Sequence, residues 1–193
     1  MIIVYAPEKS PRLDYILSQL FKYILGVEFY FTTNKDEFIA SHLPSFNYSI
    51  ENLHKGIWII PHTLLYNEGV DKLELEEITQ WKNLPAFFSQ KQGDIPFDLF
   101  SAAFYLITRY EEYRPVALDS HGRYQYTESI INRMGCIEEP IVDQWAYALK
   151  KEILRLYPEC EFSPRSFHFT PTVDVDHPYL YRNKGFALNT LCL

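Results

Sequence analysis

Thr172-Val173-Asp174-Val175-Asp176-His177-Pro178 places a threonine and two carboxylates two residues apart. In an extended strand such residues share a face, so Thr172, Asp174 and Asp176 point one way while Val173 and Val175 point into packing. Two carboxylates side by side are costly unless a cation sits between them or one keeps a proton. Both arrangements are useful in catalysis, because one carboxylate can bind a divalent metal while the other serves as a base toward metal-bound water. The same residues also spell an aspartate-rich turn capped before Pro178, which is a structural use.

Two further groups combine residue types with chemical potential. Arg109-Tyr110-Glu111-Glu112-Tyr113-Arg114-Pro115 packs charges and tyrosines into one turn. It reads either as a sugar or carboxylate site built from arginine and aromatic faces, or as an Arg–Glu network that closes a helix end, with Arg109 in reach of Glu112 or Tyr113. His62 follows the apolar run Gly56-Ile57-Trp58-Ile59-Ile60-Pro61, on the side where open α/β sheets place ligands. A lone histidine there also has an ordinary packing role.

The elements that position these residues follow from periodicity. Ile2 to Ala6 is a continuous apolar run, as expected of a strand covered on both faces. Ser10 before Pro11 is a good N-cap, and Leu13, Ile16, Leu17, Leu20, Phe21 and Ile24 recur at helical spacing up to Gly26. Val27 to Phe31 resumes as a strand, so the chain opens in βαβ order and predicts a parallel, helix-flanked sheet. A short helix over Asn34 to Ser41 and strands at Phe46 to Ile50 and Gly56 to Pro61 continue that pattern. Pro96 to Tyr113 reads as a buried central helix, with Phe104 and Ile107 in the core. Asp119-Ser120-His121-Gly122 is a turn. Ile141, Val142, Trp145, Leu149, Ile153 and Leu156 line one face of a helix of about four turns between Pro140 and Pro158. Residues Pro158 to Pro164 form a connector, and Phe167 to Asp176 reads as a last strand.

Composition excludes several functions. The chain has 193 residues, 47% of them hydrophobic and 22% charged, which is ordinary globular composition and long enough to bury a core. A formal charge of -7 offers no basic field for phosphate backbones, so nucleic acid and anionic membranes are excluded as partners. The seven glycines are nowhere closer than thirteen residues, so no phosphate-cradling glycine loop exists. Cys136, Cys160 and Cys192 form no C-x-x-C pair and suggest neither a disulfide framework nor a zinc knuckle. Met1 to Glu8 lacks the basic region of a signal peptide, and no stretch reaches 18 apolar residues. A soluble, cytoplasmic protein is expected.

The tract from Phe97 through Arg109-Tyr110-Glu111-Glu112-Tyr113, followed by Asp119-Ser120-His121-Gly122-Arg123-Tyr124 and Pro140-Ile141-Val142-Asp143-Gln144-Trp145-Ala146, resembles the amino-terminal domain of bacterial polysaccharide deacetylase-like proteins. There a deacetylase domain follows, whose T-x-D-x-D motif, matched here by Thr172-Val173-Asp174-Val175-Asp176, precedes an aromatic and a Lys-Gly pair, here Tyr179, Tyr181 and Lys184-Gly185. The resemblance implies that Asp174 is the general base and Asp176 a ligand of a divalent metal, zinc or similar, in the hydrolysis of acetyl groups on carbohydrate. That family also needs an H-x-x-x-H pair. His42, His54, His62, His121, His168 and His177 contain none, and only seventeen residues follow Asp176. The chain is therefore expected to comprise an α/β accessory domain over residues 1–164 and, over 165–193, the first strand of an incomplete (β/α) deacetylase barrel. The 193-residue chain is expected to be inactive alone, to hold no metal tightly, and to self-associate through its apolar carboxyl-terminal segment. Two other classes compete: a D-x-D glycosyltransferase, which lacks an acceptor-binding segment after Asp176, and a non-enzymatic carbohydrate-binding or protein-interaction module using the 17% aromatic content.

Overall fold

The computed structural model describes residues 1–70, 73, 77–113 and 118–175. Four short strands, β1 (Ile2–Tyr5), β2 (Phe29–Thr32), β3 (Ser45–Tyr48) and β4 (Ile57–Ile59), pair in parallel in the order β2-β1-β3-β4. The α/β class with a parallel, helix-flanked sheet is as expected. Alternation along β1 explains its unbroken apolar run. Ile2 and Val4 enter the main core with helix α1 (Pro11–Leu17), whereas Ile3 and Tyr5 pack on the opposite face against Phe38 of α2 (Lys35–Ala40). Ser10 caps α1 by accepting from the Leu13 amide at 3.0 Å, and Asn34 caps α2 through the Asp36 and Glu37 amides. After Leu17 the first helix continues as a π helix over Ser18–Ile24, and Gly26 at φ +67° ends it.

The two sheet edges are closed differently. On β4 the Trp58 amide donates to Asp94 Oδ2 at 2.7 Å, and the Asp94 amide donates back to the Trp58 carbonyl at 2.8 Å. The edge strand β2 is only four residues long, and Lys9 and Lys22 stand over its Phe31 and Phe29 rings. Shortness and flanking lysines both discourage a further strand from adding there.

Gly56 lets β3 and β4 approach. Its φ is +71°, and a Cβ at this position would lie 2.1 Å from the Ser45 carbonyl oxygen. Gly56→Ala combines left-handed strain with a backbone collision, and a loss of at least about 2 kcal/mol is expected. A thermal melt checks it; an unchanged midpoint would mean the strands do not meet this closely.

The central helix differs from expectation. It spans Leu99–Ile107 (α3) instead of Pro96 to Tyr113, because Asp98 caps its start and Arg109, at φ +52°, breaks its end before a short 3-10 turn over Tyr110–Tyr113. Phe104 is buried, and Ile107 is half-buried against the same core. A hairpin of β5 (Thr79–Trp81) and β6 (Leu84–Ala86) was not anticipated; its turn residues Lys82 and Asn83 both have positive φ. A short helix, α4 (Ile130–Arg133), precedes α5 (Ile141–Leu156), which matches the expected amphipathic helix and docks through buried Trp145, whose indole N–H donates to the Pro85 carbonyl at 3.0 Å.

The expected strand from Phe167 to Asp176 is not formed over its described part. Residues 161–175 contain neither helix nor strand, and Phe167 is 93% exposed. An extended segment becomes a strand only when a sheet edge takes up its backbone groups, and over its described part this segment pairs with neither β2 nor β4.

Candidate functional site

The sheet order makes the carboxyl ends of the strands the natural ligand side, with the switch point between β1 and β3. What occupies the carboxyl ends of β3 and β4 is a polar cluster centred on Asp98. The Tyr48 hydroxyl donates to Asp98 Oδ2 at 2.8 Å, the His62 amide donates to the same oxygen at 2.6 Å, and the Ser101 amide donates to Oδ1 at 3.1 Å. Asp98 thus joins the end of β3, the segment after β4 and the first turn of α3 through one carboxylate. Burial raises its pKa from the ordinary aspartate value, opposed by the hydrogen bonds from Ser101, His62 and Tyr48. Burial, then the facing Asp98, pushes the Tyr48 phenol well above its ordinary value.

A shell of side chains fastens the loop after β4 to this cluster. The His62 ring stacks on Phe88 at 4.2 Å and its Nδ1 accepts from the Leu64 amide at 3.2 Å, which assigns the ring proton of the neutral form to Nε2. Ser10 donates to the Leu65 carbonyl, and Arg12 donates to the carbonyls of Leu64 (2.9 Å) and Gly69. Tyr66 stacks beside Tyr48 at 6.2 Å, and its buried hydroxyl has no hydrogen-bond partner among the described residues. Burial, more than the nearby Asp98, raises its pKa.

Asp98, Tyr48 and Ser101 are fully buried. Their hydrogen bonds make this cluster a three-way tie between sheet and helix inside the core. Reading the sequence for chemistry missed it. The available signal was Asp98 directly ahead of an apolar helix with Ser101 three residues on, the pattern of an N-cap.

Over its described part, residues 109–113, the Arg109 tract makes structural contacts; Arg114 and Pro115 lie outside the described residues. Arg109 pairs with Glu112 at 2.7 Å, and Glu111, 4% exposed, accepts from the Ile130 amide at 2.9 Å and so caps α4. Tyr110 packs against Phe104 and Tyr105, with the Arg12 guanidinium 5.6 Å from its ring centroid. His121 lies in the expected turn, where Asp119 Oδ1 accepts from the His121 and Arg123 amides.

Asp174 is exposed and outside the packed unit, while Asp176 lies outside the described residues. Among the described residues no three His, Cys, Asp or Glu side chains converge. A catalytic zinc takes three protein ligands, so the described donor set does not fit one. Cys136 and Cys160 are free and buried, and burial raises both thiol pKa values. No helix of the described residues is long and apolar enough to cross a membrane.

The model of a family of unknown function, DUF7033, matches residues 2–158. The chain belongs to that family. The DUF7033 match therefore covers the sheet, its helices and the Asp98 cluster, and it ends two residues beyond α5. No curated protein and no solved structure matches the chain.

Proposed function

We propose that residues 1–164 are the accessory unit of a polysaccharide deacetylase-like protein and that residues 165–193 begin its catalytic domain. The observation that supports this reading is the separation of chemistry from packing. Among the described residues of the family-matched region, the Asp98, Arg109 and Asp119 clusters serve as ties, caps or turns, whereas the T-x-D-x-D tract lies beyond it with Asp174 exposed. In this reading Asp174 is the general base, Asp176 a ligand of zinc or a similar metal, and acetylated carbohydrate the substrate. Deacetylation needs base, metal and oxyanion donor held around one acetyl group, and each contributes only when the geometry is complete. The 193-residue chain by itself is then inactive, and it associates through its apolar carboxyl-terminal segment, of which Phe167 and Phe169 are exposed while Tyr179, Tyr181 and Phe186 lie outside the described residues. Free Cys136 and Cys160 suit a reducing, cytoplasmic setting.

The test compares two proteins on acetylated chito-oligosaccharides and acetylxylan, with and without zinc. The 193-residue chain should release no acetate. A protein continued through an H-x-x-x-H pair should release it, and Asp174→Asn should abolish that release. Acetate from the short chain, or an Asp174→Asn protein at full rate, would overturn the reading.

A further inference from the structure

Resting on the reading that another domain begins at residue 165, we infer that residues 160–165 are a fixed strap that sets where that domain leaves the accessory unit. After α5 the chain folds back along the helix it has just left. The Lys150 ammonium stands 4.5 Å from the Phe162 ring centroid, and three residues later Arg165 Nη1 donates to Asp143 Oδ1 at 2.8 Å. Lys150 and Asp143 are two helical turns apart, about 10 Å, which an extended chain covers between Phe162 and Arg165.

A separate fastening lies on another element. The Ser163 amide donates to the Gly26 carbonyl at 2.8 Å, and a Cβ on Gly26 would stand 2.7 Å from the Ser163 carbonyl oxygen. Buried Cys160 roots the strap at its start. The exposed Arg165–Asp143 pair alone contributes little. The strap depends on an ion pair, a cation over a ring and a backbone bond acting together, and all three involve residues beyond the family-matched region.

Only Ser166 separates Arg165 from Phe167, where an alternation of apolar residues at 167, 169, 173 and 175 begins. In the reading where the following domain's first strand starts at Phe167, a one-residue link from a fixed strap leaves that domain little rotational freedom. The chain therefore leaves the accessory unit beside Asp143, near the amino-terminal end of α5. There Ile107, Ile131 and Val142 line a groove of about 200 Å³ with Asp143 among its walls.

Hydrogen exchange and limited trypsin digestion of the 193-residue chain test this. At a concentration where the chain is monomeric, the Ser163 amide should be protected at least about tenfold more than the amides of Phe169 and Val173. Asp143→Ala with Phe162→Ala, both at half-buried positions, should remove that protection and speed cleavage after Arg165 about tenfold; circular dichroism checks that the fold is retained. A wild-type Ser163 amide exchanging as fast as Val173, or a double variant with unchanged exchange and cleavage, would overturn the strap. Neither readout depends on acetate release, so a failed activity test leaves the strap standing and a failed strap leaves the activity reading standing.

Discussion

Asp98→Ala should destabilise the folded unit by about 3–5 kcal/mol, enough to unfold a domain of ordinary stability at modest denaturant. The substitution leaves the Tyr48 hydroxyl and the His62 and Ser101 amides without their acceptor in a dry interior, and it removes the N-cap of α3. Asp98→Asn keeps the shape and one acceptor oxygen, so its loss should be smaller. A urea midpoint for Asp98→Ala within about 1 kcal/mol of wild type would show that the carboxylate is not the tie described here.

The same residue dictates a pH dependence. Its folded pKa is raised, so the folded state holds the proton more tightly than the unfolded chain does. That contribution is fully present below the unfolded carboxylate value, about 3.9, and is lost as pH rises through the raised folded value. Asp98→Asn should remove this downward slope. Urea midpoints of both proteins measured at intervals upward from pH 4 would show it, and identical slopes would count against the assignment.

Phe100→Ala is the second large effect, expected at about 3–5 kcal/mol. Phe100 is fully buried where α3 meets the sheet, with ring centroids of Phe21, Phe46 and Tyr48 at 6.1, 6.3 and 5.1 Å. These three ring neighbours are themselves buried, so they have little freedom to collapse into the space left. Phe104, one turn later, retains 8% exposure and packs edge-on against half-exposed Tyr15, so Phe104→Ala should cost less. Parallel denaturation of the two variants checks the order, and a larger loss at Phe104 would place the helix differently in the core.

Elements whose cause is local were legible from residues alone. Ser10-Pro11 and the apolar spacing after it specify the first helix, and the stripe from Ile141 to Leu156 specifies α5 within its observed limits. The hairpin at Thr79–Ala86 was not legible. Its turn uses Lys82-Asn83 in place of a glycine-containing pair, and two three-residue strands carry too little alternation to be read. Nor was the helix break at Arg109. A positive φ at a non-glycine residue is imposed by its surroundings, here the Arg109–Glu112 pair and the burial of Tyr110 and Glu111.

For the site, the sequence by itself determined an inventory: which residues can hold protons, metals or sugars, that the sheet is parallel, and that no phosphate loop is present. Only the tertiary structure decided which of them meet. Asp98 and Tyr48 are fifty residues apart and share no period, yet one hydrogen bond joins them across the core. Asp174 sits in the pattern of a strand and forms none in its described surroundings, because a strand depends on the edge it pairs with. Periodicity is a property of neighbours along the chain. Burial, and with it the raised pKa of Asp98 and the exposure of Asp174, is a property of neighbours in space.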